Sequence, residues 1–319
     1  MRTDRCKLRC KMIRKRKLHL TLLLCAAVLY VAANGSVIAE DDEQLRQSLA
    51  GNASDACVQQ GYEIETGRQA EETDSNEAAP DNLAPLYING VLDSTCPVVN
   101  GTAVMSPGRF ASLAGLDYDG HAIAGLTPEL SEDGDYAVVN GRYFYLPDGL
   151  YEQGGELLWP LRVLAGMFGC AVTWDAAGGS INLDVTAVAL PESGDTYYNE
   201  QDVFWLSRII YAESGNQSLA GQIGVGNVVL NRVESELFPD SVYEVIFDRT
   251  YGVQFSPVEN GTIYSTPDEE AVIAAKLALE GADTAGNSLY FVNPSIGAGY
   301  WFAANLTYVT TIGDHDFYA

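Results

Sequence analysis

Hydrophobic and polar residues alternate differently in three stretches of this chain, and each pattern predicts a different kind of structure. Apolar residues follow one another from Leu18 to Ala33, broken only by His19 and Thr21. Between residues 86 and 185, short apolar runs alternate with Gly, Asn-Gly and Asp-Gly, which is typical of β-strands joined by tight turns. From about residue 201 onward, apolar residues recur every three or four positions, which predicts α-helices.

The first stretch has the features of an export signal. Residues 1–17 carry nine Lys or Arg, the apolar run of Leu18–Ala33 comes next, and the small residue Ala39 closes the segment before acidic residues begin. The run is shorter than the roughly 20 residues that a membrane-spanning helix needs. We therefore predict a signal peptide over residues 1–39 and a location outside the cytoplasm, secreted or in the cell envelope. An uncleaved anchor is the alternative, and a membrane contact is expected only in that case.

Charge changes the picture of the remaining chain. The predicted leader holds nine of the 18 Lys and Arg residues but only one of the 43 Asp and Glu residues. The chain after residue 39 is strongly acidic, which excludes a nucleic-acid partner because phosphate groups would be repelled. Residues 40–82 are polar, acidic and poor in apolar side chains, so we predict a disordered tether there.

Three cysteines lie beyond the leader: Cys57, Cys96 and Cys170. One disulfide at most can form within the chain, and we expect Cys96–Cys170 because both lie in the same predicted domain, although the sequence leaves the connectivity open. No spacing of Cys or His resembles a zinc site. The sequence therefore predicts no metal and no cofactor.

The second stretch predicts a small β-rich domain over residues 83–186. Residues 87–92 and 138–143 each contain Asn-Gly within a short strand-like run, which predicts two hairpins. A weak internal repeat is also present: residues 104–115 and 157–175 each indicate a strand, a short helix after Pro, a Gly and a second strand.

The order of NG, P-x-R, G and V-x-W-D in this stretch resembles the module named after the N-terminal domain of copper amine oxidases. The resemblance implies a non-catalytic stalk that contacts the cell wall or another envelope protein, and it implies no copper. An unrelated β-rich spacer is the alternative. Residues 187–200 contain Pro191, Ser193 and Gly194 and are predicted to be a linker.

The third stretch, residues 201–319, is predicted to be mainly helical. Asp202 is the expected N-cap of a first helix that ends near Glu213, where Ser-Gly-Asn provides stop signals. Further helices are expected over 219–233, from a capping box at 241–244, and from 266 to 281, whereas 254–257 and 289–294 are expected to be extended or loop-like. The predicted fold class is α+β, with a β-rich stalk followed by a mainly helical domain that has a small β element.

Glu213 is the candidate catalytic residue. A carboxylate at the C-terminal end of a helix faces the negative end of the macrodipole, and apolar neighbours such as Tyr211 remove water from it. Both effects raise the pKa of the carboxyl, and a carboxylic acid that stays protonated near neutral pH can protonate the leaving oxygen of a glycosidic bond.

Residues 212–217, 221–233, 254–256, 290–294 and 312–315, taken in order, are similar to the SleB-type cell wall hydrolase family, typified by spore cortex-lytic enzymes. The resemblance implies a lysozyme-like fold and places the family's catalytic Glu at Glu213. It implies cleavage of peptidoglycan glycan strands between N-acetylmuramic acid, or muramic lactam, and N-acetylglucosamine. Spore cortex and vegetative wall both stay open as the substrate.

The chain departs from the family at Gln217, where many members carry a second Glu. A lytic transglycosylase needs no second carboxylate, because the sugar's own 6-hydroxyl attacks the anomeric carbon, and we favour this reaction. Hydrolysis would need a second carboxylate, for which Glu234, Asp248 and Glu259 are candidates. The competing class is an inactive wall-binding protein that keeps the same fold.

Five residues are candidates for binding the glycan: Gln254, Phe255, Ser256, Tyr290 and Asn293. Their amide, hydroxyl and aromatic groups suit N-acetyl groups and sugar rings. For Phe255 and Tyr290 the alternative is packing into the hydrophobic core, which is the commoner place for an aromatic side chain.

Overall fold

The computed structural model describes residues 82–250, 252–296 and 299–319. The predicted signal peptide (1–39) and, apart from Asn82, the predicted acidic tether (40–82) lie outside the described residues. Strands dominate the described chain up to residue 184, and helices dominate after residue 194. The predicted mixture of α and β structure is confirmed.

The β-rich region is built on a seven-stranded sheet with the order β7-β8-β3-β2-β1-β10-β9. All neighbouring strands are antiparallel except β1 and β10, which run parallel. Its strands are β1 Asn82–Ile88, β2 Val91–Val99, β3 Thr102–Met105, β7 Tyr151–Gln153, β8 Glu156–Pro160, β9 Ala171–Asp175 and β10 Ser180–Asp184. A second sheet has the order β4-β5-β6 and contains β4 Glu129–Leu130, β5 Tyr136–Val139 and β6 Arg142–Tyr145.

Both predicted hairpins are confirmed. Asn89-Gly90 joins β1 to β2, and Asn140-Gly141 joins β5 to β6. The asparagines have φ of 51°, and Gly90 and Gly141 have φ of 80° and 78°. Two consecutive residues with positive φ give the turn whose twist matches the paired strands, and Asn-Gly is the residue pair that adopts it most readily.

The predicted repeat is confirmed in one copy and partly wrong in the other. In the second copy, β8 leads into helix α2 (Leu161–Met167) and then into β9. In the first copy, β3 leads into helix α1 (Pro107–Ala114), but an irregular segment comes next in place of a strand. Both helices bury apolar residues against the sheet.

The expected disulfide between Cys96 and Cys170 is wrong, since both thiols are free and buried. Cys96 lies on β2 and Cys170 immediately precedes β9, and strands β1 and β10 separate those two strands in the sheet. Three strand spacings amount to roughly 14 Å, whereas a disulfide needs Cα atoms about 4–7 Å apart.

The C-terminal region contains the predicted helices with small shifts of their ends. They are α4 Glu200–Ser214, α5 Leu219–Glu234, α6 Val242–Phe247, α7 Ser256–Asn260, α8 Glu269–Leu279 and α9 Gly299–Asn305. The expected N-cap of α4 is wrong: Asn199 caps the helix by accepting from the backbone N–H groups of Gln201 and Asp202. Asp202 instead lies in the first turn, where a carboxylate stabilises the positive end of the helix dipole. The cap at Ser241 is confirmed by its bond from the Glu244 backbone N–H.

Part of the segment predicted to be extended over 254–257 is helical, because α7 begins at Ser256 with Pro257 at a position where its missing N–H is not needed. The extended segment at 289–294 is confirmed as β11 (Tyr290–Val292). It joins a small antiparallel sheet of order β11-β13-β12, with β12 Tyr308–Ile312 and β13 His315–Tyr318.

Helices α4, α5 and α8 pack against one another around a shared apolar core. Gly226 of α5 makes this close approach possible. A side-chain Cβ at that position would lie 3.1 Å from Cδ1 of Ile210 on α4 and 3.2 Å from Cβ of Ala278 on α8. The packing fixes the end of α4, and therefore Glu213, relative to α5.

The β-rich region touches the helical region through β6 and the segment 187–200. Arg142 of β6 makes a two-point ion pair with Glu280, with Nε–Oε1 at 2.7 Å and Nη2–Oε2 at 2.5 Å. The Tyr198 hydroxyl donates to Glu280 Oε1 at 2.8 Å and accepts from the Tyr143 backbone N–H at 2.9 Å. Residues 187–200, predicted as a linker, contain a short helix, α3 (Gly194–Tyr197), and hydrogen-bond to the β5–β6 turn through Asn140.

Across the three described ranges, no helix has both the length and the apolar character needed to cross a membrane.

Candidate active site

Glu213 lies in the last turn of α4, directly before the turn into α5. Gly215 ends the helix, and its backbone N–H bonds to the Tyr211 carbonyl. Ser218 then caps α5 through a bond from the Gly221 backbone N–H. The helix stop predicted from Ser-Gly-Asn and the cap at Ser218 therefore place Glu213 at a sharp corner of the backbone.

This corner forms one wall of a cleft of about 460 Å³. The cleft is lined by Tyr211, Ala212, Glu213, Ser214, Gly215, Asn216, Thr262, Ser265 and Asp268. The opposite wall comes from the segment between α7 and α8. Nothing in the sequence pattern marked Thr262, Ser265 and Asp268 as cleft residues, because only the packing of α8 on α4 brings them near Glu213.

Burial raises the pKa of the Glu213 carboxyl from 4.5 to about 7, and the positive charge of Arg232 partly offsets this effect. Within the described residues, no hydrogen bond or ion pair joins the Glu213 side chain to another group. A carboxyl that is short of water and free of a tight partner near neutral pH can hold a proton and give it to a ligand.

The positive charge of Arg232 acts on Glu213, and the sequence did not mark Arg232 as part of a site. It lies on α5 and is 5% exposed, and its Nε donates to the Leu289 carbonyl at 2.8 Å. The ring centroids of Phe238, Phe255 and Tyr290 lie 4.9, 5.0 and 5.4 Å from its guanidinium carbon. Its Nη1 has no hydrogen-bond partner among the described residues, and burial lowers the pKa of the guanidinium to about 10.

The five candidate glycan-binding residues lie outside the group that lines the cleft. Phe255 is 3% exposed and packs in the core beside Arg232, and the Tyr290 ring also lies beside the Arg232 guanidinium. Gln254 is half-buried and donates from Nε2 to the Gly252 carbonyl at 3.2 Å, whereas Ser256 is exposed at the start of α7. Asn293 closes a turn by accepting from the backbone N–H and Oγ of Ser295.

A second cavity, of about 310 Å³, lies where the β5–β6 turn meets the segment 187–200. It is lined by Thr127, Glu129, Val138, Asn140, Gly141, Ser193 and Asp195. The two carboxylates that line it, Glu129 and Asp195, are exposed, so the cleft at Glu213 is the better candidate for chemistry. No group of three or more His, Cys, Asp or Glu residues within the described ranges is placed to hold a metal ion.

Residues 216–318 match the family model described as Cell Wall Hydrolase. This C-terminal region belongs to the cell wall hydrolase family. The family resemblance predicted from the motifs around Glu213 is therefore confirmed for this region. Glu213 itself precedes the matched residues by three positions. The resemblance of the β-rich region to the amine oxidase module stays a prediction.

Curated relatives of the hydrolase region are spore cortex-lytic enzymes. The protein of Halalkalibacterium halodurans is 36% identical over 120 residues, which cover 38% of this chain and 35% of the relative. The protein of Bacillus cereus is 37% identical over 120 residues and is covered to 45% of its length. The chain thus spans less than half the length of these relatives.

A solved structure is also similar, the catalytic domain of the germination-specific lytic transglycosylase SleB from Bacillus anthracis. It shares 35% sequence identity with this chain, covers 39% of it, and is itself covered to 98%, with a TM-score of 0.36.

Proposed function

We propose that this protein is an extracytoplasmic bacterial enzyme that cleaves the glycan strands of peptidoglycan, with Glu213 as the general acid. The bond cleaved is the one between N-acetylmuramic acid, or muramic lactam, and N-acetylglucosamine. The observation that carries the proposal is the cleft-lining carboxyl of Glu213, whose pKa burial raises to about 7. Membership of the hydrolase region in the cell wall hydrolase family supports the choice of substrate.

The proposed reaction is lytic transglycosylation. Glu213 protonates the glycosidic oxygen as the bond breaks, and the carboxylate so formed then takes the proton of the sugar's 6-hydroxyl as that oxygen attacks the anomeric carbon. One carboxyl performs both proton transfers, so the reaction needs no second carboxyl at position 217. Arg232 supports this cycle because its positive charge stabilises the carboxylate state of Glu213.

The support for a glycan-binding role of the five candidate residues comes from where they lie in the structure. Phe255 and Tyr290 hold the guanidinium of Arg232, which acts on Glu213. Gln254 and Ser256 flank Phe255 in sequence, and Asn293 directly succeeds β11. We propose that Gln254, Ser256 and Asn293 meet the acetamido and hydroxyl groups of the strand, while Phe255 and Tyr290 shape the floor beneath it.

The alternative function is an inactive wall-binding protein, and the observation that favours it is Gln217 in place of the second Glu. The test is to incubate the purified chain with cortex and with vegetative peptidoglycan and to analyse the soluble fragments by mass spectrometry. Products with 1,6-anhydro ends support transglycosylation, and products with new reducing ends indicate hydrolysis with a second carboxylate. Binding without any soluble product favours the alternative.

A further inference from the structure

Five aromatic rings form a cluster at the surface of the helical region, which we name the aromatic surface. It consists of Phe204 and Trp205 of α4, Tyr243 and Phe247 of α6, and Tyr264 of the short 3-10 helix Thr262–Tyr264. Trp205 is the centre: its ring centroid lies 4.9 Å from Phe204, 5.0 Å from Phe247, 5.4 Å from Tyr243 and 6.3 Å from Tyr264.

Trp205 and Phe247 pack against the core, but Phe204, Tyr243 and Tyr264 do not. On α4 the core-facing residues are Leu206, Ile209 and Ile210, and on α6 they are Val242, Val245 and Ile246. In contrast, Phe204, Tyr243 and Tyr264 are 43%, 49% and 66% exposed. Neighbouring exposed rings on three separate elements mark a surface that binds something, because single exposed apolar residues are common but contiguous patches are not.

The aromatic surface is continuous with the cleft at Glu213. Tyr264 lies between Thr262 and Ser265, and both of these line the cleft. The same helix, α4, carries Trp205 near its start and Glu213 at its end, eight residues apart, which is roughly 12 Å at the rise of an α-helix. A chain-like ligand that fills the cleft and continues past Thr262 therefore meets Tyr264 and then Trp205.

The chemistry of the surface fits a sugar chain. Pyranose rings present flat faces of C–H groups that pack on aromatic rings, and their hydroxyls suit the phenol groups of Tyr243 and Tyr264. The guanidinium carbon of Arg208 lies 3.6 Å from the centroid of the Phe204 ring, so Arg208 adds hydrogen-bond donors at the edge of the aromatic surface. A second copy of the chain is a poor occupant, since the chain carries a net charge of −25 and copies repel each other.

We propose that the aromatic surface is a glycan-binding site outside the cleft, which holds the strand whose scissile bond lies at Glu213. The inference rests on the proposed function for the identity of the strand. It goes beyond that function by assigning a binding role to Phe204, Trp205, Tyr243 and Tyr264, and by making the enzyme selective for strands long enough to span both sites.

Binding is tested in the full chain carrying Glu213→Gln, so that the strands stay intact. The test variant adds Phe204→Ala and Tyr243→Ala, and the matched control adds Tyr308→Ala, which removes a 55% exposed ring elsewhere. In pelleting with insoluble peptidoglycan sacculi, we expect binding roughly tenfold weaker for the test variant and unchanged for the control. Equal binding by the test variant and the control would overturn the proposal. A parent chain that is a dimer in solution, and that becomes a monomer in the test variant but not in the control, would overturn it as well.

Catalysis provides the second arm, with Glu213 intact. The Phe204→Ala/Tyr243→Ala variant should lose roughly tenfold in rate on sacculi and keep its rate on a short soluble glycan that fills only the cleft. An equal loss on both substrates would overturn the proposal, because it would indicate a defect in the cleft. If the unaltered chain cleaves neither substrate, the proposed function fails, while pelleting still decides whether the aromatic surface binds glycan.

Discussion

Gln217 holds Asp314 through two hydrogen bonds, one donated and one accepted by its side-chain amide. Its Nε2 donates to the Asp314 carboxylate at 3.1 Å, and its Oε1 accepts from the Asp314 backbone N–H at 3.0 Å. The pair ties the turn after α4 to the β12–β13 turn, 97 residues later in the chain. The glutamine at position 217, where the chain departs from the family, thus has a hydrogen-bonding partner in Asp314.

We expect Gln217→Glu to destabilise the protein. Glutamate lacks the amide donor and places a second negative charge beside Asp314, so the free energy of unfolding at pH 7 should fall by about 1 kcal/mol. Urea unfolding measures this loss. The change should leave glycan cleavage largely intact, since the proposed mechanism uses no carboxylate at this position.

Asp314→Asn provides the control for this effect. Combined with Gln217→Glu it removes the repulsion, so the double variant should recover part of the lost stability. A double variant as unstable as the sum of the two single changes would contradict the repulsion between residues 217 and 314.

The raised pKa of Glu213 predicts how cleavage depends on pH. The acid must be protonated to donate, so the rate should fall as the pH rises through about 7. The measurement is the initial rate of fragment release from sacculi between pH 4 and 9 at constant ionic strength. A rate that already falls near pH 4.5, the ordinary value for Glu, would mean that burial does not raise the pKa as described.

The same burial makes Glu213 costly for stability at high pH. Its carboxyl binds a proton more tightly in the folded chain than in the unfolded chain. Proton binding therefore stabilises the folded chain at low pH, and this stabilisation is lost as the pH rises from about 4.5 through 7. Glu213→Gln removes this cost. We expect the variant to be more stable than the parent at pH 8 by about 2–3 kcal/mol, and equally stable at pH 4.

Urea unfolding at the two pH values tests this expectation. The exposed Glu236→Gln is the matched control and should change stability at neither pH. A Glu213→Gln variant with the same stability difference at pH 4 and pH 8 would show that the effect does not come from titration of the carboxyl.

Arg142 and Glu280 join the β-rich and helical regions, so breaking the pair should weaken the whole molecule. Glu280 is almost fully buried, with its side chain 3% exposed. Arg142→Met would leave the Glu280 carboxylate with the Tyr198 hydroxyl as its one remaining hydrogen-bond partner among the described residues. We expect the free energy of unfolding to fall by about 2–3 kcal/mol. Adding Glu280→Gln should restore part of the loss, and no recovery would show that the ion pair is not the cause.

The sequence predicted those parts of the fold that depend on local signals. Asn89-Gly90 and Asn140-Gly141 were sufficient for two hairpins, because few other pairs adopt two positive φ values. Ser-Gly-Asn at 214–216 marked the end of α4 for a similar reason. Asp202 was the wrong cap because Asn199, three residues earlier, is an equally good acceptor and no local rule chooses between them.

Features that depend on contacts between residues far apart in the chain could not be predicted from the sequence. The separation of Cys96 from Cys170 results from the strand order, which places β1 and β10 between their strands. Likewise Thr262 and Ser265 meet Glu213 only through helix packing, and the role of Arg232 depends on three rings from separate segments. Glu213 was identified by its helix-end position together with the motif around it, and not by either signal alone.

The most direct test of the central claim is the rate of glycan release by Glu213→Gln. Glutamine keeps the shape of the side chain but cannot donate a carboxyl proton, so we expect the initial rate on sacculi at pH 6 to fall by about 10²-fold or more. The Glu236→Gln control should keep the parent rate. A Glu213→Gln variant that releases fragments within a few-fold of the parent rate would contradict the assignment of Glu213 as the catalytic acid.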